Sequence, residues 1–275
     1  MYNEKKLAEL KEFAKNIRIQ SLEQFASRGF GHLGGSMSIV EMLTVLYGDQ
    51  LRHDPKNPQW EERDRLVCSK GHAGPAVYAA LALRGYMPLS EMKTLNINGT
   101  NLPSHCDMTK TPGIDVTTGS LGQGLSVASG LAYALKQIQG KDCKVFCIVG
   151  DGELQEGQNW EAMMNAAHKK IDNLILLMDS NKMQLDGPVQ GVEDLGDINA
   201  KFEAFGWNVI TVTDGHDLNQ LGEAVAAAKA YEGKPTAIVC HTLKGKGIVW
   251  AETEWNHHIE VSREAAEAAI AALNA

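Results

Sequence analysis

The sequence predicts an α/β fold, with a mostly parallel sheet and helices on both of its faces. Two observations support this class. From residue 144 onward, short apolar runs of strand length alternate with longer segments of helical periodicity, which is typical of parallel sheets. The apolar runs, such as VFCIV at residues 145–149, lack the polar alternation of a half-exposed strand. Because no repeat, low-complexity tract or linker divides the chain, we expect residues 1–275 to form one domain.

The individual elements follow from apolar periodicity and from capping residues. We expect strands at residues 64–69, 144–149, 173–179, 207–212 and 236–241. We expect helices at residues 4–27, 36–47, 75–84, 121–137, 154–168, 194–205, 217–231 and 262–272, with Ser36 or Ser38 near the start of the second. Residues 97–116 are rich in Asn, Gly, Pro and Thr and are predicted to form a long loop, which in a compact domain is often functional.

The composition excludes several classes of function. A net charge of −8 argues against binding to a nucleic-acid backbone. No apolar run approaches membrane-spanning length, and the first 20 residues are charged and helix-like, unlike a secretion signal. The five cysteines form no CxxC pair, as expected for reduced thiols. We therefore expect a cytoplasmic protein that binds neither nucleic acid nor a membrane.

An acidic glycine turn, Gly150-Asp151-Gly152-Glu153, follows the strand predicted at residues 144–149. A glycine turn between strand and helix usually binds phosphate through its N–H groups, which a carboxylate would repel. The Rossmann pattern is absent because Gln155 replaces its third glycine, and GKG at residues 245–247 is not a phosphate loop. A divalent cation between the carboxylate and a phosphate would resolve the conflict.

The second ligand for such a cation is available at the end of the next predicted strand. Asn181 follows that strand as Asp151 follows the first, so both are expected at the carboxyl edge of the sheet. Carboxylate and amide oxygens suit Mg²⁺, which keeps phosphate and water as its other ligands. The alternative interpretation is structural, with Asp151 capping a helix and Asn181 lying in a turn.

Together with four further segments, this pair resembles the motifs of transketolases. GHLGGSMSIVEML (residues 31–43) and DRLVCSKGHAGPAVYAAL (64–81) are similar to their histidine segments. DVTTGSLGQGLSVASGLA (115–132) is similar to their cofactor loop, and GDGELQEGQNWEA (150–162) to their metal loop. The resemblance covers most of the chain and implies a thiamine diphosphate-binding fold. Whole transketolases continue through a pyrimidine-binding and a C-terminal domain, so the chain resembles the N-terminal subunit of a split transketolase.

The resemblance assigns a role to each matching residue. Asp151, Asn181 and the Met183 carbonyl would bind Mg²⁺, for which Ca²⁺ or Mn²⁺ could substitute. The cofactor would be contacted by Gly150, Asp151, Gly152, Glu153, His72, Lys244 and His258, and by Gly119, Ser120, Leu121 and Leu185 near its rings. His72 would contact either the diphosphate or the substrate, and Lys244 either the diphosphate or a sugar phosphate. Catalytic roles would fall to His32, His72, His105, His258 and Glu156.

Several of these assignments leave a second interpretation open. The fourth histidine could be His257 instead of His258, because the glycine that usually follows it is missing. A pKa near neutrality would suit the histidines for proton transfer. Glu156 is assigned to coupling with a second active site, and Glu153 has no clear role beyond favouring a helix N-terminus. Structural roles remain open for His72, Leu121, Leu185, Lys244 and Glu156.

The implied activity is transfer of a two-carbon ketol unit from a ketose or its phosphate to an aldose or its phosphate. Transketolases activate the cofactor with a glutamate from the pyrimidine-binding domain, so a separate C-terminal subunit is expected, in an α2β2 heterotetramer. One alternative is a split transketolase for an unusual sugar phosphate or a sulfo-sugar. A second is the α subunit of a 2-oxo acid dehydrogenase, which TTGSLGQG and GHLGGS fit poorly. A third is a non-catalytic nucleotide-binding or regulatory protein.

Overall fold

A computed structural model of the chain describes residues 1–253 and 256–275. Its centre is a five-stranded sheet in the order β2-β3-β4-β6-β5, and every pairing in it is parallel. The strands are β2 (Arg65–Cys68), β3 (Val145–Gly150), β4 (Leu174–Ser180), β5 (Asn208–Val212) and β6 (Thr236–His241). The predicted parallel α/β fold is confirmed, and each predicted strand lies within one residue of its observed bounds.

Successive residues of the strands point into two separate hydrophobic cores. Phe146 and Ile148 of β3 face one core, whereas Val145, Cys147 and Val149 face the other. This alternation explains why β3 is apolar throughout: both of its faces are covered. The first core is closed by α1 (Glu4–Arg28), α2 (Leu33–Met37), α3 (Val40–Val45), α4 (Gly74–Arg84), α9 (Leu218–Ala230) and α11 (Arg263–Asn274). The second is closed by α5 (Gln123–Tyr133), α6 (Gly157–His168) and α8 (Ile198–Ala204).

The helix predicted at residues 36–47 differs most from the structure. It is divided into α2 and α3, followed by a π-helical turn at Leu46–Gln50, so neither Ser36 nor Ser38 caps its start. Ser36 lies inside α2 and donates to the His32 carbonyl. Ser38 lies at the break, where its hydroxyl binds the Asp179 carboxylate at 2.6 Å. A side chain that binds elsewhere competes with helical hydrogen bonding, which fits a break at this position.

Smaller differences occur at other helix ends. The helix predicted at 121–137 begins at Gln123 and ends in a π-helical turn at Ala134–Ile138. The helix predicted from residue 154 begins at Gly157, after a 3₁₀ turn at Gly152–Gln155. The segment 194–205 contains α8 only, after a short α7 (Val189–Val192).

Several short elements were not predicted from the sequence. The strands β1 (Phe30–Gly31) and β7 (Ile259–Glu260) form a small antiparallel sheet, and the unpredicted helices include α7, α10 (Val249–Thr253) and a 3₁₀ helix at Leu89–Thr94. Residues 97–116 form turns and irregular structure, as predicted. Among the described residues, no helix is both long enough and apolar enough to cross a membrane.

The register of the sheet brings three turns together at its carboxyl edge. Gly150 pairs with Asp179, and Ser180 pairs with His241, so β3, β4 and β6 end side by side. The turns that follow these strands carry Asp151, Asn181 and Lys244. This arrangement confirms that the acidic turn and Asn181 lie at one edge of the sheet, where ligands of parallel sheets usually bind.

Candidate active site

Asp151 and Asn181 lie buried at this edge, 3% and 8% exposed. The Asp151 carboxylate accepts main-chain N–H groups from Gly152 at 2.8 Å and from Lys182 at 2.5 Å. The Asn181 amide oxygen accepts the Met183 N–H at 3.1 Å. Burial, together with the nearby Asp179 carboxylate, raises the pKa of Asp151 to about 7. Two buried carboxylates therefore stand close together, an arrangement that a divalent cation would stabilise.

The ion pair between Lys70 and Asp179, which was not predicted from the sequence, lies next to Asn181. Lys70, only 2% exposed, donates its ammonium to Asp179 at 2.5 Å and to the Gly35 carbonyl at 2.8 Å. Asp179 also accepts hydrogen bonds from Ser38, Thr242 and, at 2.8 Å, the Asn181 amide. Although burial favours the neutral acid, Lys70 and these donors hold the pKa of Asp179 below its usual value. Because Asp179 binds the Asn181 amide nitrogen, it turns the amide oxygen away from itself and fixes its direction.

Glu153 receives a defined role from the structure. Its carboxylate accepts hydrogen bonds from the Ser69 hydroxyl and from the main-chain N–H groups of Gly122 and Gly150, at 2.9 and 3.2 Å for the latter two. It therefore joins the acidic turn to the SKGH segment and to the predicted cofactor loop. Burial raises its pKa, and these donors oppose the rise. The expectation that Glu153 acts mainly through a helix N-terminus is incomplete.

The acidic turn and the Lys244 loop enclose a cleft between them. The cleft is lined by residues from each segment of the site: Gly35, Lys70, His72, Leu121, Gly150, Asp151, Gly152, Glu153, Asn181, Met183, Gln184, Leu185, Lys244 and His257. Lys244 is 8% exposed, and no carboxylate of the described residues lies within 4 Å of its ammonium. Burial, and then the charge of Lys70, lower its pKa to about 8. A buried ammonium without a counter-ion destabilises the protein and marks a place suited to an anion.

Histidines from four separate segments of the sequence meet beside this cleft. The ring of His32 lies 5.3 Å from that of His72 and 5.4 Å from those of His105 and His257. Burial is the largest cause of a lowered pKa in each of them, reaching about 3 for His32 and about 4 for His257. In the chain by itself these imidazoles are therefore neutral at pH 7.

The structure also decides which of two neighbouring histidines faces the cleft. His257 lines it, and its Nδ1 lies 3.1 Å from the Lys244 ammonium. His258 is exposed, and its ring lies edge-on to that of His32, with 4.6 Å between the centroids, and 5.4 Å from the Phe30 ring. The structure thus places His257, and not the predicted His258, at the cleft, whereas contact of either histidine with a cofactor stays a prediction. The first two residues of the motif EWNHHIEV, 254 and 255, lie outside the described residues.

The remaining predicted residues lie around the mouth of the cleft. Gly119 has a φ of 142°, and a Cβ there would lie 3.1 Å from the His105 ring, so glycine allows that ring to pack against the loop. Leu121 and Leu185 are 37% and 57% exposed, which excludes the alternative that they belong to the core. Ser120 is exposed beside them.

Two further predictions concern the acidic turn itself. The Gly152 N–H, expected to face a diphosphate, donates to the Asp151 carboxylate in this structure. A Cβ at Gly152 would lie 2.5 Å from the Gln184 side chain, so the turn and the Met183–Leu185 segment can approach only because residue 152 is glycine. Glu156 is exposed, next to Gly122.

The residues present fit a divalent cation with a bound diphosphate. Asp151, the Asn181 amide oxygen and the Met183 carbonyl are oxygen donors of the type that Mg²⁺ prefers. No group of three or more His, Cys, Asp or Glu side chains in the described part of the chain could hold a metal, so a cation here depends on this mixed oxygen set. The unpaired ammonium of Lys244 supplies charge for the anion. Sequence reasoning missed Lys70 and Asp179, although each lies at or just after the end of a predicted strand, close to a predicted site residue.

These features define an α/β protein with a cleft of buried oxygen donors and a buried lysine at the carboxyl edge of its sheet. Residues 10–270 match the family model described as "Transketolase, thiamine diphosphate binding domain", and the chain belongs to this family.

Relatives and solved structures agree with this assignment. The chain is 48% identical, over 96% of both chains, to the 6-deoxy-6-sulfo-D-fructose transketolase subunit SqwG of Clostridium sp. (strain MSTE9). It is 40% identical, over 91% of both chains, to an apulose-4-phosphate transketolase subunit of Actinobacillus succinogenes. The solved transketolase of Leishmania mexicana superposes with a TM-score of 0.91 at 33% identity, over 96% of this chain and 41% of that one. The chain thus spans less than half of a full transketolase, and the predicted resemblance is confirmed.

The role found for Glu153 can be tested by a matched pair of substitutions in the same turn. Glu153→Gln places an amide NH₂ opposite main-chain donors, so we expect the free energy of unfolding to fall by about 1–3 kcal/mol. Glu156→Gln, at an exposed position, should change it by less than ~0.5 kcal/mol. Chemical denaturation of the three proteins measures both values. Equal stabilities of the two variants would contradict the structural role of Glu153.

Proposed function

We propose that this chain is the N-terminal subunit of a two-subunit transketolase that depends on thiamine diphosphate and Mg²⁺. It would transfer a two-carbon ketol unit from a ketose or ketose phosphate to an aldose or aldose phosphate. The observation that supports this most is a pair of opposite charges that line one cleft: the buried carboxylate of Asp151 and the buried ammonium of Lys244, which has no carboxylate within 4 Å among the described residues. A cation and a diphosphate together neutralise both.

Each residue of the cleft has a task in this proposal. Asp151, Asn181 and the Met183 carbonyl would hold Mg²⁺, and Lys244 would bind the diphosphate as a charge-assisted donor. The turn Gly150–Glu153, His72 and His257 would surround the same group. Gly119, Ser120, Leu121 and Leu185 would contact the rings of the cofactor at the open mouth of the cleft.

When bound, the cofactor would supply a nucleophilic carbon for the ketose carbonyl and a cationic ring able to take up the electron pair of the C2–C3 bond that breaks. The protein contributes position and proton transfer. His32, His72, His105 and His257 are neutral imidazoles, so each can donate an N–H to a developing oxyanion or accept a proton from a substrate hydroxyl. A bound diphosphate would raise their lowered pKa values, because a nearby anion favours the charged imidazolium.

The proposed partner is a separate C-terminal subunit that carries the pyrimidine-binding domain and its activating glutamate. Two relatives that match this chain over nine-tenths or more of their own length are named as transketolase subunits. Leu121 and Leu185 are exposed apolar side chains at the cleft mouth, as expected where another chain closes over a cofactor. We propose an α2β2 heterotetramer in which exposed Glu156 couples paired active sites.

We also propose that residues 1–275 act as one domain. Because all five cysteines are unpaired and buried, we propose that the protein is cytoplasmic.

A sulfonated ketose is the second candidate donor. The relative with 48% identity is named for 6-deoxy-6-sulfo-D-fructose, and the glycine that usually follows the fourth histidine of transketolases is missing here. These relatives are transketolases, which disfavours a non-catalytic regulator or the α subunit of a 2-oxo acid dehydrogenase. Comparing turnover of fructose 6-phosphate with that of its 6-sulfo analogue, with one aldose phosphate acceptor, separates the two donors.

The need for a partner predicts inactivity of the isolated chain. We expect the purified protein, with thiamine diphosphate and Mg²⁺, to show no two-carbon transfer from any ketose, because the glutamate that activates the cofactor is expected on the other subunit. Addition of the C-terminal subunit, identified as the protein that copurifies, should restore turnover. Robust turnover by the chain alone would refute the proposal.

The lowered pKa of Lys244 predicts that cofactor binding depends on pH. Its pKa of about 8 leaves the ammonium protonated at pH 7. Only the ammonium binds a diphosphate strongly, so the affinity for thiamine diphosphate should decrease as the pH rises through 8. Lys244→Met should bind about tenfold more weakly at pH 7, and should lack this dependence.

The same substitution separates binding from stability. Lys244→Met removes a buried charge without a counter-ion, so the free energy of unfolding without cofactor should stay equal or increase. Calorimetric titration of the complex at pH 7, 8 and 9 and denaturation of the chain measure the two effects. A Met variant with wild-type affinity at pH 7 would exclude Lys244 from the diphosphate site.

A further inference from the structure

A buried network behind the cleft involves three residues that the proposed function does not use. Glu41 of α3, 6% exposed, accepts hydrogen bonds from the Arg18 guanidinium of α1, at 2.7 and 3.0 Å on its two oxygens. It also lies 2.8 Å from Nδ1 of His216, which is in the turn between β5 and α9. Glu41 therefore joins three parts of the fold at a single carboxylate.

The network reaches the Lys244 loop on both sides of Lys244. Nε2 of His216 accepts the main-chain N–H of Leu243 at 2.8 Å, and Nε of Arg18 donates to the main-chain carbonyl of Lys246 at 2.9 Å. These contacts bracket Lys244, whose side chain lines the cleft. Arg18 packs closely against Gly247, where a Cβ would lie 2.4 Å from its Nε.

The chemistry of these contacts determines the state of His216. A main-chain N–H can only donate, so Nε2 of His216 must be an acceptor without a proton. The ring proton is then on Nδ1, which donates to Glu41. Glu41 thus sets the tautomer of His216, and the tautomer provides the acceptor that holds Leu243.

We propose that His216, Glu41 and Arg18 are positioning residues that hold the Lys244 ammonium in place for an anionic phosphate group. The inference rests on the proposed function, in which that group is the diphosphate of the cofactor. A lysine side chain without a carboxylate partner is long and flexible, so its position depends on the main chain that carries it. Fixing the main chain on each side of Lys244 reduces the entropy that is lost on binding.

Two substitutions at His216 separate its hydrogen bond to Glu41 from its hydrogen bond with the Leu243 N–H. The amide of Asn reaches the position of Nδ1, so His216→Asn retains a donor to Glu41 and loses the acceptor for Leu243. The amide of Gln reaches the position of Nε2, so His216→Gln retains that acceptor. We expect His216→Asn to bind thiamine diphosphate with Mg²⁺ about tenfold more weakly in the two-chain complex, and His216→Gln to stay within about threefold of wild type.

A double-mutant cycle with Lys244→Ala distinguishes positioning from general stabilisation. If His216 acts through Lys244, His216→Asn should not weaken binding further in the Lys244→Ala background. Equal affinities of the Asn and Gln variants, or an undiminished effect of His216→Asn without Lys244, would overturn the proposal.

Amide hydrogen exchange of the chain without cofactor provides a readout that does not need binding. The Leu243 amide should lose protection in His216→Asn and keep it in His216→Gln, and loss in neither variant would contradict the proposed contact. If wild-type protein in the two-chain complex shows no affinity for thiamine diphosphate, the proposed function fails, whereas the exchange result still decides whether His216 holds the loop.

Discussion

The ion pair between Lys70 and Asp179 is the interaction on which the site depends. Asp179 is the penultimate residue of β4 and accepts hydrogen bonds from the α2–α3 junction and from the turns that follow β2, β4 and β6. A buried pair of this kind is costly to desolvate, and removing one partner typically costs about 3–5 kcal/mol. These hydrogen bonds connect the ends of the strands through the Asp179 carboxylate. The one from the Asn181 amide nitrogen also fixes the direction of the Asn181 amide oxygen.

The same edge contains charges that the chain does not neutralise. Asp151 has a raised pKa because it is buried near Asp179, and Lys244 has a lowered pKa because it is buried near the charge of Lys70. Both conditions reduce the stability of the chain alone. A cation and an anion that bind only the folded protein recover this free energy, so the cofactor would stabilise the protein as well as enable its chemistry.

The sequence was sufficient for the features that depend on local pattern. Buried strands are apolar throughout, and the turns after them carry Asp151 and Asn181, so the sheet and its edge were predicted within one residue. It was insufficient where tertiary contacts override local preference. Ser38 interrupts a predicted helix because its hydroxyl binds Asp179, and Glu153 binds Gly122 and Ser69 from segments far away in the chain. His257 and His258 are adjacent, so local pattern does not distinguish them; in the structure His257 lines the cleft and His258 lies beside Phe30 of β1.

The central claim is that Asp151 and Asn181 hold a divalent cation to which a diphosphate binds. Crystallography of the complex with thiamine diphosphate and Mn²⁺, using anomalous scattering to locate the metal, tests it most directly. We predict a metal peak within about 2.0–2.4 Å of the Asp151 carboxylate, the Asn181 amide oxygen and the Met183 carbonyl, with the diphosphate between the metal and Lys244. A peak elsewhere, or a diphosphate bound without contact to the metal, would contradict the account.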